Sequence, residues 1–337
     1  TGRCICPRHD AHARADPRST VRRGPVKHLK PIVALLLVSP LVWATNSPIE
    51  LKTALKVLLT ELPGQYDNAG QVYFETAIPD TADPPHKRVF MLWAPLAAPD
   101  VGEHVLVSTL RLGGDSGEVV DGESAVWTLA VDPASKAVRM TPFRSRKSLE
   151  SGSVVTRADI APAEGLCTVL WRKYGTELRG VADTTTCKVA AHREYILNAE
   201  ELWINNLPDN PMKAHVRLGK ARDFECLFGY RPADGEPQVS NGQHMHDRGD
   251  TLIWETAAPN QHKFEYELLR GMWPSNSGGN YTDMLRITIY ALDDSAPPKR
   301  EFLGIGWAGS GGDRASFGDG TYNGRCKLFD PDMPPPK

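Results

Sequence analysis

The chain has 337 residues, with 39 basic and 41 acidic side chains and a formal net charge of −2. The first 44 residues hold eight of the basic and two of the acidic groups, which leaves the remainder with a formal charge of −8. This acidic balance argues against nucleic-acid binding, because phosphate backbones attract positive patches. The residues after the first 44 suffice for two domains of ordinary size.

The N-terminal region resembles an export signal. A basic flank at 27–30 precedes an uncharged apolar run at 31–44, which is too short to span a bilayer comfortably. Val42 and Ala44 fit a small-residue cleavage site, so the sequence predicts a mature chain that begins near Thr45 and a periplasmic or secreted protein. A buried core helix is the alternative. No later apolar run is long enough to cross a membrane, so we expect no membrane span in the mature chain.

One amphipathic helix is predicted to open the mature chain. Ser47 is suited to cap it, Pro48 fits the first helical position, and Pro63 followed by Gly64 ends it. Leucines at helical spacing lie on one face of this helix: Leu51, Leu55, Leu58, Leu59 and Leu62. That face is expected to pack on the core.

Beyond the helix the pattern changes to short β-rich runs separated by Gly, Pro and Asp. The runs are RVFMLWAPL, EHVLVSTLRL, SAVWTLAV, AVRMTPF, CTVLWRKY, ELRGVA and REYILNAEELWI. In the second run, Val105, Val107, Thr109 and Arg111 face one way, and Leu106, Ser108, Leu110 and Leu112 face the other. Such alternation predicts an antiparallel meander that closes into a barrel or folds into a sandwich.

A second β-rich set follows a linker at 207–213. Its runs are DFECLFGYR, TLIWET, KFEYELLR, LRITIYAL, EFLGIGWA and RCKLF. Phe264, Tyr266 and Leu268 alternate with Glu265 and Glu267, which is typical of a strand with one buried face. The sequence therefore predicts an upstream segment and signal peptide at 1–44, a first β domain at 45–207 and a second antiparallel β domain at 208–337.

Four cysteines after the signal are predicted to form disulfides. Cys167 and Cys187 lack C-x-x-C spacing and a neighbouring ligand set, so a zinc site has little support. They flank two predicted strands joined by a turn at 175–177, and a bridge there would tie the open end of a hairpin. Cys226 and Cys326 lie near the two ends of the second β set. Pairing Cys167 with Cys187 and Cys226 with Cys326 is the economical choice among three possible connectivities.

Several of these stretches resemble a known family. LPGQYDNAGQ at 62–71 is similar to the opening motif of the T-type phycobiliprotein chromophore lyases, the CpcT/CpeT family. The Cys167–Cys187 segment and REYILNAEELWI follow in the family's order, so the resemblance covers about 48–206. RDFECLFGYR, MHDRGDTLIWET, RGMWPS and GIGWAG resemble the C-terminal extension of secreted bacterial members.

The resemblance implies a calycin-like, lipocalin-like antiparallel barrel that holds an open-chain tetrapyrrole, a bilin, and helps attach it to a cysteine of an acceptor protein. Lyase members carry an arginine-containing stretch on one barrel strand, but the corresponding stretch here is ESAVWTL at 123–129. Arg111 and Arg139 on nearby strands could replace those cations, and exposed surface arginines are the alternative. Trp127 and Trp171 could line the ligand cavity, or they fill a core. The sequence identifies no catalytic residue.

Two further motifs invite a chemical interpretation and are assigned to turns and loops. Gly-Asp-Ser-Gly at 114–117 matches trypsin-like proteases, but the chain order of serine and histidine is wrong for that fold, so a polar hairpin turn is expected. His244, His246, Asp247 and Asp250 are close in sequence, but they form an irregular ligand set. We expect solvated loop histidines there and no metal site.

Two functions follow from these observations. The first is a chromophore lyase-like protein that binds a bilin and assists its attachment to an acceptor cysteine. The second is a non-enzymatic secreted β-barrel module that binds a small apolar ligand or an envelope protein. The missing arginines favour the second on physical grounds, and the resemblance supports the first.

Overall fold

A computed structural model describes residues 48–77, 85–120, 122–147, 154–187, 193–207, 215–258, 261–274, 280–309 and 311–330. The predicted signal peptide, its cleavage site, Ser47 and residues 208–213 of the predicted linker at 207–213 lie outside these residues. Within the described ranges, neither of the two α-helices has the length and apolar character of a membrane-spanning segment.

Ten antiparallel strands close into a barrel. They are β1 (Gly64–Asp67), β2 (Val89–Pro95), β3 (Val105–Leu112), β5 (Ala125–Asp132), β6 (Ala137–Ser145), β8 (Val169–Tyr174), β9 (Glu177–Ala182), β10 (Glu194–Leu197), β11 (Glu201–Ile204) and β12 (Val216–Lys220). Each pairs with the next in this order, and β12 pairs back onto β1. Two short strands, β4 (Glu118–Val119) and β7 (Ile160–Pro162), pair with β3 and β6 outside the ring. The predicted antiparallel barrel is confirmed.

The last strand of the barrel lies beyond the predicted domain boundary at 207/208. Strand β12 pairs with β1 through Tyr66 and Lys220, and with β11 through Ile204 and Val216. The barrel therefore extends to Lys220. Only Ala221 and Arg222 separate it from the next strand.

The predicted first helix, α1, spans Pro48–Glu61 and begins at the proline, as expected. Its buried side chains are Leu51, Ala54 and Leu58, with Leu62 just beyond the end. Leu55 and Leu59 lie at the margin of this face and are partly buried. The helix packs on β5, β6 and β8. This contact explains why its apolar positions repeat at helical spacing.

A second helix, α2 (Ala69–Ala77), was not predicted. It follows β1 directly, and a carboxylate oxygen of Asp67 accepts a hydrogen bond from the backbone N–H of Ala69 at 2.7 Å. Aspartate in this position satisfies an N–H at the helix start that has no partner within the helix. The Asp67-Asn68 pair before the helix is the sequence signal that identifies it.

The remaining strands form two stacked four-stranded sheets. One contains β14 (Gln238–His246), β13 (Asp223–Tyr230), β20 (Tyr322–Leu328) and β19 (Arg314–Gly318), in that order. The other contains β15 (Arg248–Glu255), β16 (Lys263–Pro274), β17 (Tyr281–Leu292) and β18 (Arg300–Ala308). The rings of Phe228 and Tyr266 stack across the interface with centroids 3.7 Å apart. The second antiparallel β part is thus a sandwich, with Phe264, Tyr266 and Leu268 buried as predicted.

Both predicted disulfides are confirmed. Cys167–Cys187 joins the chain before β8 to the chain after β9 and closes the open end of that hairpin. Cys226–Cys326 joins β13 and β20, in which the two cysteines are directly paired. Disulfides form and persist in oxidising environments, so the two bridges indicate such an environment for this protein.

Candidate functional site

The interior of the barrel is packed with side chains. The fully enclosed members include Leu58, Leu62, Tyr66, Val138, Met140, Trp171, Leu202, Ile204 and Leu218. Trp171 on β8 contacts Gly180 on β9 so closely that a Cβ on the glycine would lie 2.8 Å from the indole ring. These side chains have no solvent-exposed surface and belong to one contiguous cluster of buried residues. Within the described residues, the interior of the barrel is therefore a hydrophobic core.

The four residues proposed for ligand binding do not converge on one site. Trp127 and Trp171 point inward, and the indole N–H of Trp127 donates to the hydroxyl of Ser108 at 2.8 Å. Arg111 and Arg139 lie on the outward faces of β3 and β6. The barrel wall therefore separates the two arginines from the two tryptophans.

Each outward arginine already has a local partner. Arg111 donates to the carbonyl oxygen of Gly117 at 3.0 Å, and Arg139 donates to a carboxylate oxygen of Asp132 at 2.8 Å. Hydrogen bonds from Arg139, which are the largest cause, and from Ser135 lower the pKa of Asp132 from its ordinary 3.8 to about 2. These contacts assign both arginines a role on the barrel surface.

A charged pair that the sequence reasoning missed lies inside one end of the barrel. Arg193 forms two hydrogen bonds with the carboxylate of Glu123, at 2.7 and 3.1 Å, and both side chains are largely buried. Glu123 begins the stretch in which the resemblance places the family's arginines. The pair satisfies the guanidinium internally, and breaking such a buried pair is costly.

The predicted histidine cluster is only partly a loop. His246 and Asp247 are buried, which corrects the expectation of solvated loop histidines, whereas His244 lies on the surface beside Asp223. The aspartate of the Gly-Asp-Ser-Gly turn, Asp115, joins His246 and Asp250 within 4.8 Å. The Gly-Asp-Ser-Gly turn and the histidine cluster, which are far apart in the sequence, are thus adjacent in the structure.

The hydrogen bonding of this triad opposes metal binding. The Nδ1 atom of His246 accepts the backbone N–H of Arg248 at 3.2 Å, so the neutral ring carries its proton on Nε2. A protonated nitrogen offers no lone pair to a metal. Asp250 accepts the backbone N–H of His246 at 3.0 Å, and burial raises the pKa of its carboxyl group. The triad therefore stabilises the turn between the two sheets.

An open cleft of about 630 Å³ lies between α2 and the sheet formed by β16, β17 and β18. We call it the aromatic cleft, and its lining residues are Tyr73, Trp273, Pro274, Met284, Arg286, Ile305 and Trp307. Its volume is in the usual range of ligand pockets, about 300–1,000 Å³. Four of its lining residues belong to RGMWPS and GIGWAG, two of the stretches that carry the C-terminal resemblance.

The aromatic cleft presents ring surface to solvent. The Trp273 ring lies 5.0 Å from that of Tyr73 and 5.1 Å from that of Trp307. Trp273 is buried beneath them, whereas Tyr73 is 39 % and Trp307 is 45 % exposed. Exposed rings grouped around a concavity are typical of a binding surface.

A buried cation lies beneath these rings. The guanidinium of Arg286 is 4.4 Å from the centre of the Trp273 ring and 5.2 Å from that of Tyr73. It also pairs with the carboxylate of Glu267, and both side chains are largely buried. The arginine thereby stabilises the rings in their positions and makes the floor of the aromatic cleft polar.

A second cleft, of about 360 Å³, lies on the other side of α2. We call it the arginine cleft, and its lining residues are Asp67, Gly70, Gln71, Phe74, Glu75, Glu201, Arg217, Gly219, Arg248, Arg270, Gly271 and Met272. Phe74 lines this cleft and its neighbour Tyr73 lines the aromatic cleft. Helix α2 thus supplies a wall to both clefts. Because the sequence pattern did not predict this helix, it did not predict the two clefts either.

The sequence matches no protein-family model and no curated protein. The site is therefore interpreted from its own chemistry. The aromatic cleft offers stacking surfaces above a polar floor, and the arginine cleft offers cations. The rings of the aromatic cleft suit a flat, conjugated ligand, whereas the arginine cleft suits an anion.

Proposed function

We propose that the protein is a chromophore lyase-like protein of the CpcT/CpeT type that binds a linear tetrapyrrole in the aromatic cleft. The single observation that carries the proposal is the group of three rings, Tyr73, Trp273 and Trp307, around an open volume of about 630 Å³. A bilin is flat and conjugated, so it matches ring surfaces that prefer to stack. Each such aromatic contact contributes about 0.5–1.5 kcal/mol beyond its buried area.

The filled barrel is the reason for placing the ligand outside it. Side chains such as Trp171 occupy the space that a calyx would offer to the pyrrole rings. The ten-stranded closed barrel supports the resemblance in fold. We therefore propose a bilin, the ligand class that the resemblance implies, but place its site in the aromatic cleft beside the sandwich and not in the barrel.

The cleft favours binding over chemistry. The described residues that line it include one tyrosine, Tyr73, but no cysteine, serine, histidine or carboxylate to act as a nucleophile or proton carrier. Attachment of the bilin to an acceptor would rely on the acceptor's own thiol. A non-enzymatic module for a small apolar ligand is the second candidate, and the apolar side chains of Met284 and Ile305 in the same cleft favour it.

Titration with biliverdin tests the proposal. We expect a red-shifted absorption band and quenching of tryptophan fluorescence on the wild-type protein, and their loss in the Trp307→Ala variant. Phe302→Ala is the matched control, because Phe302 is a similarly exposed ring on the same strand and does not line the cleft. No band and no quenching at tens of micromolar biliverdin would refute bilin binding.

Two further measurements separate the candidates. Transfer of the bound bilin to a cysteine-containing acceptor peptide, detected by mass spectrometry, would establish assistance in attachment. Binding without transfer would establish a carrier. Binding of an uncharged apolar dye, abolished by Trp307→Ala while biliverdin remains unbound, would identify the non-enzymatic module.

We also propose that the protein is exported to the periplasm or secreted, with cleavage near Ala44. The two disulfides support this because they need an oxidising environment. N-terminal sequencing of the extracytoplasmic protein should begin near Thr45. A cytoplasmic protein with free thiols at the four cysteines would contradict the proposal.

A further inference from the structure

The arginine cleft contains a guanidinium held in an unusual position. Arg248 begins β15, and its Nε donates to the backbone carbonyl of Lys220 at 3.1 Å. Its side chain lies flat on Gly219 of β12, where a Cβ would be only 2.7 Å from Cζ and from Nε. Glycine is therefore required under this guanidinium, because any other residue would displace it.

The other two arginines of the cleft are already neutralised. Arg217 forms a salt bridge with Glu201 at 2.9 Å, and Arg270 forms one with Asp283 at 2.7 Å. Arg248 makes no salt bridge to any residue of the described ranges. Burial lowers the pKa of Arg248. The negative charge of Asp247 raises it, the positive charge of Arg270 lowers it, and the negative charges of Asp283 and Glu200 raise it.

The acidic residues of the cleft are also engaged elsewhere. Asp67 pairs with Arg88 at 3.0 Å, and Glu75 contacts His86 at 2.8 Å. Arg248 is thus a partly buried cation without a bonded counter-ion among the described residues, and it borders an open volume of about 360 Å³. The carboxylates that act on it form their salt bridges with Arg222 and Arg270, so the guanidinium of Arg248 can bind a further anion.

We propose that the arginine cleft binds a small organic carboxylate, which the guanidinium of Arg248 holds through two parallel hydrogen bonds. A guanidinium forms this paired contact with a planar carboxylate. Phe74 and Met272 line the same cleft and provide apolar surface for the hydrocarbon part of the ligand. The site is separate from the aromatic cleft and does not depend on the bilin proposal.

Calorimetric titration of the full chain with glutarate tests the inference, with inorganic phosphate and uncharged glutaramide as comparators. We expect saturable binding of glutarate, weaker binding of phosphate and none of glutaramide. Arg248→Met should weaken glutarate binding about tenfold or more, because charge-assisted hydrogen bonds are lost. Arg179→Met is the matched control, since Arg179 is exposed and paired with Glu177 on the barrel, and it should bind as the wild type does.

Gly219→Ala provides a second, positional variant. The added methyl group meets only the flexible end of Arg248, so the fold should persist by circular dichroism while glutarate affinity falls about tenfold. Absence of glutarate binding at millimolar concentration, or equal affinity in Arg248→Met, would overturn the inference. Biliverdin binding should survive in Arg248→Met, so a failure here is distinguishable from a failure of the aromatic cleft.

Discussion

The packed barrel interior makes Gly180→Ala a decisive substitution. Gly180 on β9 faces Trp171 and Val169 on β8. A methyl group at this position would lie 2.8 Å from two atoms of the indole ring and 2.9 Å from a methyl carbon of the valine. These distances are shorter than any relaxed carbon contact, and the ring is fully buried, so the core must deform.

The expected loss follows from two opposing effects. Overpacking a core costs about 1–3 kcal/mol, whereas replacing glycine by alanine within a strand gains about 0.5–1 kcal/mol. Because three atoms are overlapped, we expect the free energy of unfolding to fall by about 1–2 kcal/mol. Urea unfolding of the oxidised protein, followed by circular dichroism, measures it.

Gly165→Ala is the control for this experiment. A Cβ at Gly165 would meet nothing within 4 Å, so its free energy of unfolding should change by less than about 0.5 kcal/mol. If Gly180→Ala proves as stable as Gly165→Ala, the barrel has spare volume beside Trp171. That result would refute the packed barrel core. The barrel interior would then be the preferred ligand-binding site.

Two further predictions concern the disulfides and the barrel surface. Replacing both Cys226 and Cys326 by alanine should lower the free energy of unfolding by about 4–5 kcal/mol, because the bridge spans 100 residues; a loss below about 1 kcal/mol in non-reducing urea would contradict this. Arg139→Gln should raise the pKa of Asp132 from about 2 toward its ordinary 3.8, because the hydrogen bond from Arg139 is the largest cause of the lowering. This contribution to stability is present above pH 3.8 and is lost as the pH falls toward 2. NMR titration of the Asp132 carboxyl group measures this pKa. An unchanged pKa in Arg139→Gln would show that the contact between Arg139 and Asp132 does not form.

Much of the β architecture was predictable because one face of each long strand is buried. In β3, the alternation of Leu106, Ser108 and Leu110 with outward residues matches the structure. The strands that were missed carry a weaker pattern. Strand β14 has exposed or half-buried side chains along most of its length, so it lacks the apolar alternation that marks a strand.

The candidate site was harder to predict than the fold. Tyr73, Trp273 and Trp307 belong to three distant parts of the chain, and only tertiary packing brings them together. Tryptophan in a strand predicts burial without saying which sheet it faces. The arginines proposed from the sequence, Arg111 and Arg139, lie on barrel strands, whereas Arg248, which forms no salt bridge with any described residue, is the first residue of β15.

The position of β12 has a consequence for the fate of incomplete chains. A fragment that ends at Leu207 would lack the strand that joins β11 to β1. Both neighbours would then present rows of free amide and carbonyl groups, which readily recruit strands from other molecules. Premature termination or proteolysis at that point should thus generate a self-associating species, and the two halves cannot be produced separately by division there.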